Sequence, residues 1–410
     1  MSLPLSSRHV DAFAHEFAAY LGARHAVPTS FGRTALYLGL RALDVNQKEV
    51  ILPSFICTVV RQAVVNAGAV PRFVDVDPDR FTYDIGDLQG AICPRTRAII
   101  LVHYFGSVAR NLHDVARVAR ENSLALIEDC AHAMGAEASG QKIGTFGDLS
   151  IFSLTKGMIN FGGGVLVTND DRLQTHAKEI LAQEHIPLRR RTADFPLVLA
   201  YGLEQTIDKL ILDRVRGSGS KWWLATLPKA LVQLRKFALI LLRRLSPLPS
   251  THRRISETPT TSAPPHALCA YPQGIRMEPL VAFLATIQLR NLDALIARRR
   301  EIHSALSRLP HTHLLPPPPF SVRDAATHLL FRFPGIDIGD MAAFCKRHGL
   351  LLRPTWPTHQ TLWEQQSTRN VRLLEKEMLI WNVSARLNCR EKQKFAAILE
   401  KATQAHIGKA

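Results

Sequence analysis

Leu124-Ala125-Leu126-Ile127-Glu128-Asp129 is an apolar run that ends in two acids, and Cys130-Ala131-His132-Ala133-Met134-Gly135 follows at once. A second apolar run, Leu149-Ser150-Ile151-Phe152-Ser153-Leu154, delivers Thr155-Lys156. A third, Gly162-Gly163-Gly164-Val165-Leu166-Val167-Thr168, closes the stretch. Short β-rich runs bounded by Gly and polar residues read as buried strands, so Asp129 and Lys156 each fall just past a strand end. Ligands of open α/β sheets bind outside the carboxyl ends of the strands. An acid and a lysine brought to that edge suit pyridoxal phosphate (PLP). A lysine amine forms a Schiff base with its aldehyde, and an acidic partner keeps its ring nitrogen protonated as an electron sink.

Outward from this stretch, 410 residues allow two or three domains and a large core. Hydrophobic residues at 46% and charged residues at 21% are the balance of a soluble globular protein. A formal net charge of +16 calls for an anionic partner: a phosphorylated substrate, a membrane surface or nucleic acid. The six cysteines are scattered without a C-x-x-C pair, so no metal centre and no disulfide framework is expected, and a reducing cytoplasm fits. Met1 to Leu21 lacks a basic region followed by a long apolar core, and no apolar run approaches the roughly 18–20 residues of a bilayer span.

In chain order, Val10 to Leu21 reads as an amphipathic helix stopped by Gly22. Pro28-Thr29-Ser30-Phe31-Gly32-Arg33-Thr34 is a small polar turn running into an apolar-periodic helix. The exposed amides of such a helix start favour a phosphate, although an ordinary N-cap has the same look. Strands are expected at Glu49–Leu52, Pro71–Asp77 and Arg97–His103, with helices at Thr58–Ala67, Leu88–Ala91 and Leu112–Asn122. This alternation argues for a mostly parallel, doubly wound sheet.

The pattern changes after His185. Pro187 to Arg254 holds ten Arg and four Lys against four acids. Leu227, Leu231, Leu234, Ala238, Leu241 and Leu245 form one helical stripe, with Lys229, Lys236, Arg243 and Arg244 largely opposite and Trp222-Trp223 just ahead. Two placements suit such a helix: in a membrane interface, or packed on the protein's own body with a solvated basic face. Nucleic acid is not expected, because no known binding module accompanies the charge. Pro247 to Pro265 reads as a flexible connector. A helix over Pro279–Leu309, strands at Leu329–Pro334 and Leu350–Pro354, a helix at Met341–His348 and a closing helix from Ala396 then suit a smaller α+β domain. The expected division is a large domain over residues 1–265, carrying the insert 187–254, and a smaller domain over 266–410.

Seven stretches in this order resemble the DegT/DnrJ/EryC1/StrS aminotransferases: Gly32–Leu40, Val50–Asp77, His103–Gly106, Glu128–Gly135, Asp148–Asp170, Arg276–Arg300 and Leu351–His359. The resemblance implies a fold type I PLP-dependent transferase, an α/β protein whose large domain has the mostly parallel sheet. It implies that Lys156 holds PLP and then moves the proton, that Asp129 pairs with the pyridine nitrogen and that His132 touches the cofactor ring or its phenolic oxygen. It further implies that Ser153 and the amides of Gly32 and Arg33 bind the phosphate. Cys57 stands where an aromatic residue often stacks on the ring. Tyr104, Arg276 and His359 fall where substrate or carboxylate contacts are expected.

Several positions depart from the family's pattern. Gly32-Arg33 replaces the usual Gly-Thr, so a guanidinium takes the hydroxyl's place at the phosphate or points away. The loop from Ser153 to Lys156 is shorter than the common form. Gly274 stands where an Asn often reaches the neighbouring subunit's phosphate, while Arg276-Met277 is retained. The segment between His185 and Arg276 is much longer than usual. Some relatives that dehydrate sugars carry His in place of the lysine, so Lys156 favours transamination. The expected activity is transfer of an amino group from an amino acid, glutamate first, to a nucleotide-linked keto-sugar for polysaccharide or glycoconjugate synthesis. The expected assembly is a cytoplasmic homodimer, with the membrane's inner face as a further location if the insert binds lipid. The alternatives are a PLP-dependent lyase or dehydratase, a transaminase of a non-sugar keto compound, and a PLP-fold scaffold without activity.

Overall fold

The computed structural model describes residues 6–158, 160, 162–183, 276–307, 323–355, 368–383 and 389–407. Strand and helix alternate through the first half. The elements are α1 (Ser7–Leu21), β1 (His25–Thr29), α2 (Gly32–Ala42), β2 (Glu49–Pro53), α3 (Thr58–Asn66), β3 (Val70–Val74), β4 (Val76–Asp77), β5 (Thr82–Tyr83) and α4 (Ile85–Gly90). There follow β6 (Thr96–Val102), α5 (Leu112–Glu121), β7 (Ala125–Asp129), β8 (Glu137–Ala138), β9 (Gln141–Lys142), β10 (Leu149–Ser153), α6 (Leu154–Gly157), β11 (Gly164–Thr168) and α7 (Asp171–Gln183). Seven of these strands form one sheet in the order β1-β11-β10-β7-β6-β2-β3. Strand β11 runs antiparallel to both neighbours, and the remaining pairs are parallel. Pro28 and Pro71 lie in the two edge strands, where a missing N–H need not break the ladder.

The sheet is covered on both faces, and the pleat sorts the side chains. Val50, Leu52, Ile127 and Ile151 pack with Leu36, Leu40, Val60 and Ile180 of α2, α3 and α7. The alternate residues Ile51, Ile99 and Leu126 pack with Val115 and Val118 of α5, while Phe152 and Val165 pack with Phe13 and Phe17 of α1. Period-2 alternation between two helical layers is why these strands read as continuous apolar runs.

The second half supplies α8 (Pro279–Leu289), α9 (Leu292–Ser307), β12 (His328–Arg332), α10 (Ile338–Arg347), β13 (Arg353–Pro354), α11 (Arg369–Glu377), β14 (Met378–Asn382) and α12 (Cys389–Ile407). Strands β12, β14 and β13 make a small antiparallel sheet. Phe331, Phe333, Trp381, Phe395 and Leu399 form its core with α10 and α12. Helix α8 belongs with the large sheet instead, because Val281, Ala282 and Ala285 pack with Phe13 and Phe17.

Several elements differ from expectation. Pro279–Leu309 is two helices bent by 63°, not one. The break falls at Asn291, whose side-chain amide donates to Ile287 O at 3.4 Å while its backbone turns back to Gln288 O. The strand Pro71–Asp77 is interrupted at Asp75, whose carboxylate accepts from Ser54 Oγ and the Val76 amide. Strand Leu350–Pro354 shortens to Arg353–Pro354. The basic stripe, Trp222-Trp223 and the connector Pro247–Pro265 lie outside the described residues. No single helix among the described residues is long and apolar enough to cross a membrane.

Glu128, the residue before Asp129, points to the opposite side of β7 and is fully buried. Its carboxylate accepts from the amides of Gly144, Phe146 and Gly147 at 2.8–2.9 Å. His103 Nε2 lies 3.1 Å away, and the Ala109 amide donates into Nδ1, so the Nε2 proton goes to Glu128. Burial alone raises the Glu128 pKa, but the bonds from His103 and from the Gly144 and Gly147 amides outweigh it and hold the group below 4.5. A carboxyl with a depressed folded pKa stabilises above its unfolded value and loses that contribution as pH falls through the folded one. Glu128→Gln therefore costs about 3 kcal/mol at neutral pH. The gap to wild type narrows as pH drops below 4.5, which urea denaturation at several pH values measures.

Candidate active site

Parallel pairing sets Ile151 of β10 beside Asp129, the last residue of β7. The chain leaves β10 through the one-turn helix α6, which carries Lys156. Both side chains line one cleft of about 140 Å³, room for a small ring rather than for a water molecule. Gly32, Arg33, Cys57, Tyr104, His132 and Ser153 line it as well. Eight residues read from five separate parts of the sequence thus meet at one sheet edge.

Asp129 is 6% exposed, and Oδ1 accepts from the Ala131 amide at 3.0 Å. Burial raises its pKa above the ordinary carboxylate range, while the charge of Lys156, the Ala131 amide and His103 pull the other way. The Lys156 side chain is exposed to the cleft, and its Nζ lies 2.5 Å from His132 Nε2. Burial, then the charges of Lys156 and His328, hold the His132 pKa well below 6.5. A neutral imidazole therefore accepts the lysine's proton donor. Its ring stacks on His328 at 5.0 Å between centroids and 25° between planes, with Phe105 at 5.7 Å.

Helix α2 begins at Gly32 after the N-cap Phe31, which makes no side-chain cap. The opening amides of a helix have no partner within it, and they favour an anion. A Cβ on Gly32 would lie 3.1 Å from Ser153 Cβ and 3.2 Å from Phe152 O, so a side chain there would push the helix start and β10 apart by a few tenths of an ångström. The Arg33 guanidinium sits over the Phe31 ring at 4.5 Å. Ser153 Oγ lies 3.3 Å from Thr155 Oγ1. Cys57 is half-buried at the start of α3, beside Ile56, Val59 and Val60, so this wall is aliphatic.

Tyr104 is buried, its ring stacks on Phe55, and its hydroxyl donates to Phe55 O. Burial, then the charge of Asp129, pushes that hydroxyl's pKa well above 10. Arg276 lies off the cleft: its guanidinium donates to Leu181 O at 3.1–3.2 Å and ties down the end of α7. His359 lies outside the described residues.

Sequence reading alone does not single out Phe31, Thr155 or His328. The first two flank predicted residues, Gly32 and Lys156, and adjacency was the available signal. His328 comes from the small sheet and carries no local mark. Thr327 beside it donates to Phe105 O at 2.8 Å and His132 O at 3.0 Å. Gly106, at φ 98°, admits this approach, since a Cβ there would meet Thr327 N at 2.7 Å.

The donor set fits PLP. A buried acid has no cationic hydrogen-bond partner among the described residues, a lysine amine shares its cleft, and a helix start opens into the same space. The fold is that of the fold type I PLP-dependent aminotransferases. An aminotransferase structure from Brucella abortus superposes with a TM-score of 0.68 at 18% identity, covering 96% of this chain and 90% of that one. Residues 4–194, just under half of the chain, match the model of the DegT/DnrJ/EryC1/StrS aminotransferase family, whose enzymes use PLP. A GDP-perosamine synthase of Caulobacter vibrioides is 38% identical over 194 residues, 47% of this chain and 52% of that protein. A UDP-N-acetyl-3-dehydro-alpha-D-glucosamine 3-aminotransferase of Acidithiobacillus ferrooxidans is 41% identical over 167 residues, 40% of this chain and 45% of that one. The chain thus spans about half the length of the curated relatives it matches.

With a neutral His132 held against Lys156, the ring signals of His132 in the protein without cofactor do not titrate between about pH 5 and 8, the range in which an ordinary histidine does. NMR of the imidazole protons measures this, with His132→Gln identifying the signals.

Proposed function

We propose that this protein is a PLP-dependent aminotransferase that moves an amino group from an amino acid, glutamate first, to a keto-sugar carried on a nucleotide. The observation that carries the reading is the shared cleft of Asp129 and Lys156, with His132 in contact with the lysine amine. The relatives named above act on sugar nucleotides by their names, and that supports the substrate class.

PLP, when bound, supplies an electron sink that stabilises negative charge on the carbon beside the amino group. The chain's own residues do the rest. Lys156 would hold the cofactor, and its Nζ is the amine placed to move the proton. Neutral His132 takes a hydrogen bond from that amine and so limits the directions in which it swings. Asp129 would pair with the pyridine nitrogen of bound PLP; a cation there would pull its raised pKa back down and keep the carboxylate charged. The first amides of α2, with Ser153 and Arg33, would hold the phosphate. Tyr104 closes the wall, its hydroxyl already engaged with Phe55 O. Arg276 lies off the cleft, and its role as a substrate contact, like that of His359, rests on its place in the chain. The proposed assembly is a homodimer, in keeping with Val59, which lines the cleft yet is 38% exposed.

Lys156→Ala removes covalent attachment of PLP and the visible absorbance that reports it. Asp129→Asn retains PLP but loses about a hundredfold or more in the rate at which glutamate converts it to the amine form. A wild-type protein that stays colourless with PLP overturns the reading. A protein that binds PLP but reacts with no amino-acid donor shifts it to a lyase or dehydratase.

A further inference from the structure

Three arginines follow one another in α9, and each goes to a different place. Arg298 pairs with Glu301 on the surface at 2.6 Å. Arg300 donates to the carbonyls of Asp324 and Arg323 at 2.6 and 2.8 Å. The Asp324 carboxylate in turn accepts from the Val108 amide and Ser107 Oγ, beside the turn that holds Tyr104. Arg299 points inward, and its Nη2 donates to Gly157 O at 2.9 Å.

Gly157 is the last residue of α6, one position after Lys156. The carbonyls at a helix end lack partners within the helix, and a guanidinium satisfies and charge-matches them. The rest of Arg299 is poorly served. Its Nε is buried without a hydrogen-bond partner. Burial pushes its pKa down to about 10, with no carboxylate of the described residues offsetting the loss. His303, one turn further on the same helix, is pushed to about 4 by burial and stays neutral, so it adds no second charge. An arginine buried on these terms is a poor stabiliser of the fold. Among the described residues, its one hydrogen bond goes to the turn that carries the lysine.

We infer that Arg299 is a positioning residue: it clamps the Gly157 carbonyl and so fixes the turn that aims the Lys156 amine into the cleft. Helix α9 then acts as a bracket, with Arg299 on the lysine turn and Arg300 on the segment that braces the opposite wall. The inference rests on the reading of Lys156 as the PLP-holding residue, and two readouts keep the two apart.

The test compares wild type, Arg299→Met and Arg299→Lys in the full chain. PLP is added to the cofactor-free proteins, and covalent attachment is followed by visible absorbance. Acylation of Lys156 by a small amine-reactive reagent, read by mass spectrometry, needs no cofactor. Arg299→Met is expected to attach PLP about tenfold more slowly, in keeping with the cost of a small misplacement. Its Lys156 acylation rate is also expected to change, while its unfolding midpoint is equal to or above that of wild type. Arg299→Lys, which still donates one hydrogen bond, recovers most of the rate. Wild-type rates of both reactions in Arg299→Met overturn the inference, and so does an Arg299→Lys protein as slow as Arg299→Met. If Arg299→Met fails to fold, Arg299→Gln, which lacks the charge and the reach to Gly157 O, takes its place in the comparison with the same expected and overturning results. A wild-type protein that never attaches PLP sinks the reading of the site, and the acylation rates still decide the role of Arg299.

Discussion

The register between β7 and β10 is the constraint on which the site depends. Ile151 beside Asp129 brings the end of one strand next to the turn that leaves the other. Side chains alternate across a strand, so a slip of one residue would exchange the two adjacent acids. Glu128 would then enter the cleft, and Asp129 would face the amides of Gly144, Phe146 and Gly147 with a shorter side chain. The three amide bonds to Glu128, with His103 behind them, therefore do more than tie down a loop. They favour one register over its nearest competitor, and in that register Asp129 faces Lys156's cleft.

Two neighbouring carboxyls are thereby driven in opposite directions. His103 and the Gly144 and Gly147 amides hold Glu128 below the ordinary carboxylate pKa, while Asp129, with one amide and a lysine nearby, is raised. Burial is the largest single influence on each, so the difference comes from the donors supplied. A carboxyl poorly served by the protein is one that a ligand cation can serve. His132 follows the same logic with the sign reversed: burial and a neighbouring ammonium keep it neutral, and so it accepts from the amine rather than repelling it.

Much of this was legible in the residues. The runs ending at Asp129 and Ser153 are short, apolar and bounded by polar or glycine residues, and both are parallel strands buried on two faces. Strand β1 was harder to see, because Pro28 reads as a turn when its place at a sheet edge is unknown. The break between α8 and α9 depends on one asparagine turning its side chain back onto the helix, a choice that apolar periodicity does not encode. Arg276 shows the limit of position-based reasoning. Its place in the chain matches a substrate contact, yet in this protomer its donors close the end of α7. His328 and Arg299 were invisible for another reason: they reach the site from elements far along the chain, and only packing brings them there.

The sequence similarity and the chemistry occupy the same half of the chain. Gly32, Cys57, Tyr104, Asp129, His132, Ser153 and Lys156 all lie within residues 4–194, the span that the family model matches. A sheet edge that holds a cofactor is constrained by register, by close backbone approach at Gly32 and by the electrostatics of two acids, so few sequences satisfy it. The second half answers to looser demands. It supplies the bracket of α9, the small sheet that sets His328 against His132, and the strongly basic stretch from Pro187 to Arg254. A wall that recognises substrate can change its residues without disturbing the register of β7 and β10. On the proposed reading, the identity of the acceptor need not be inherited with the cofactor site, and its specificity is to be sought beyond residue 194, where the family match ends.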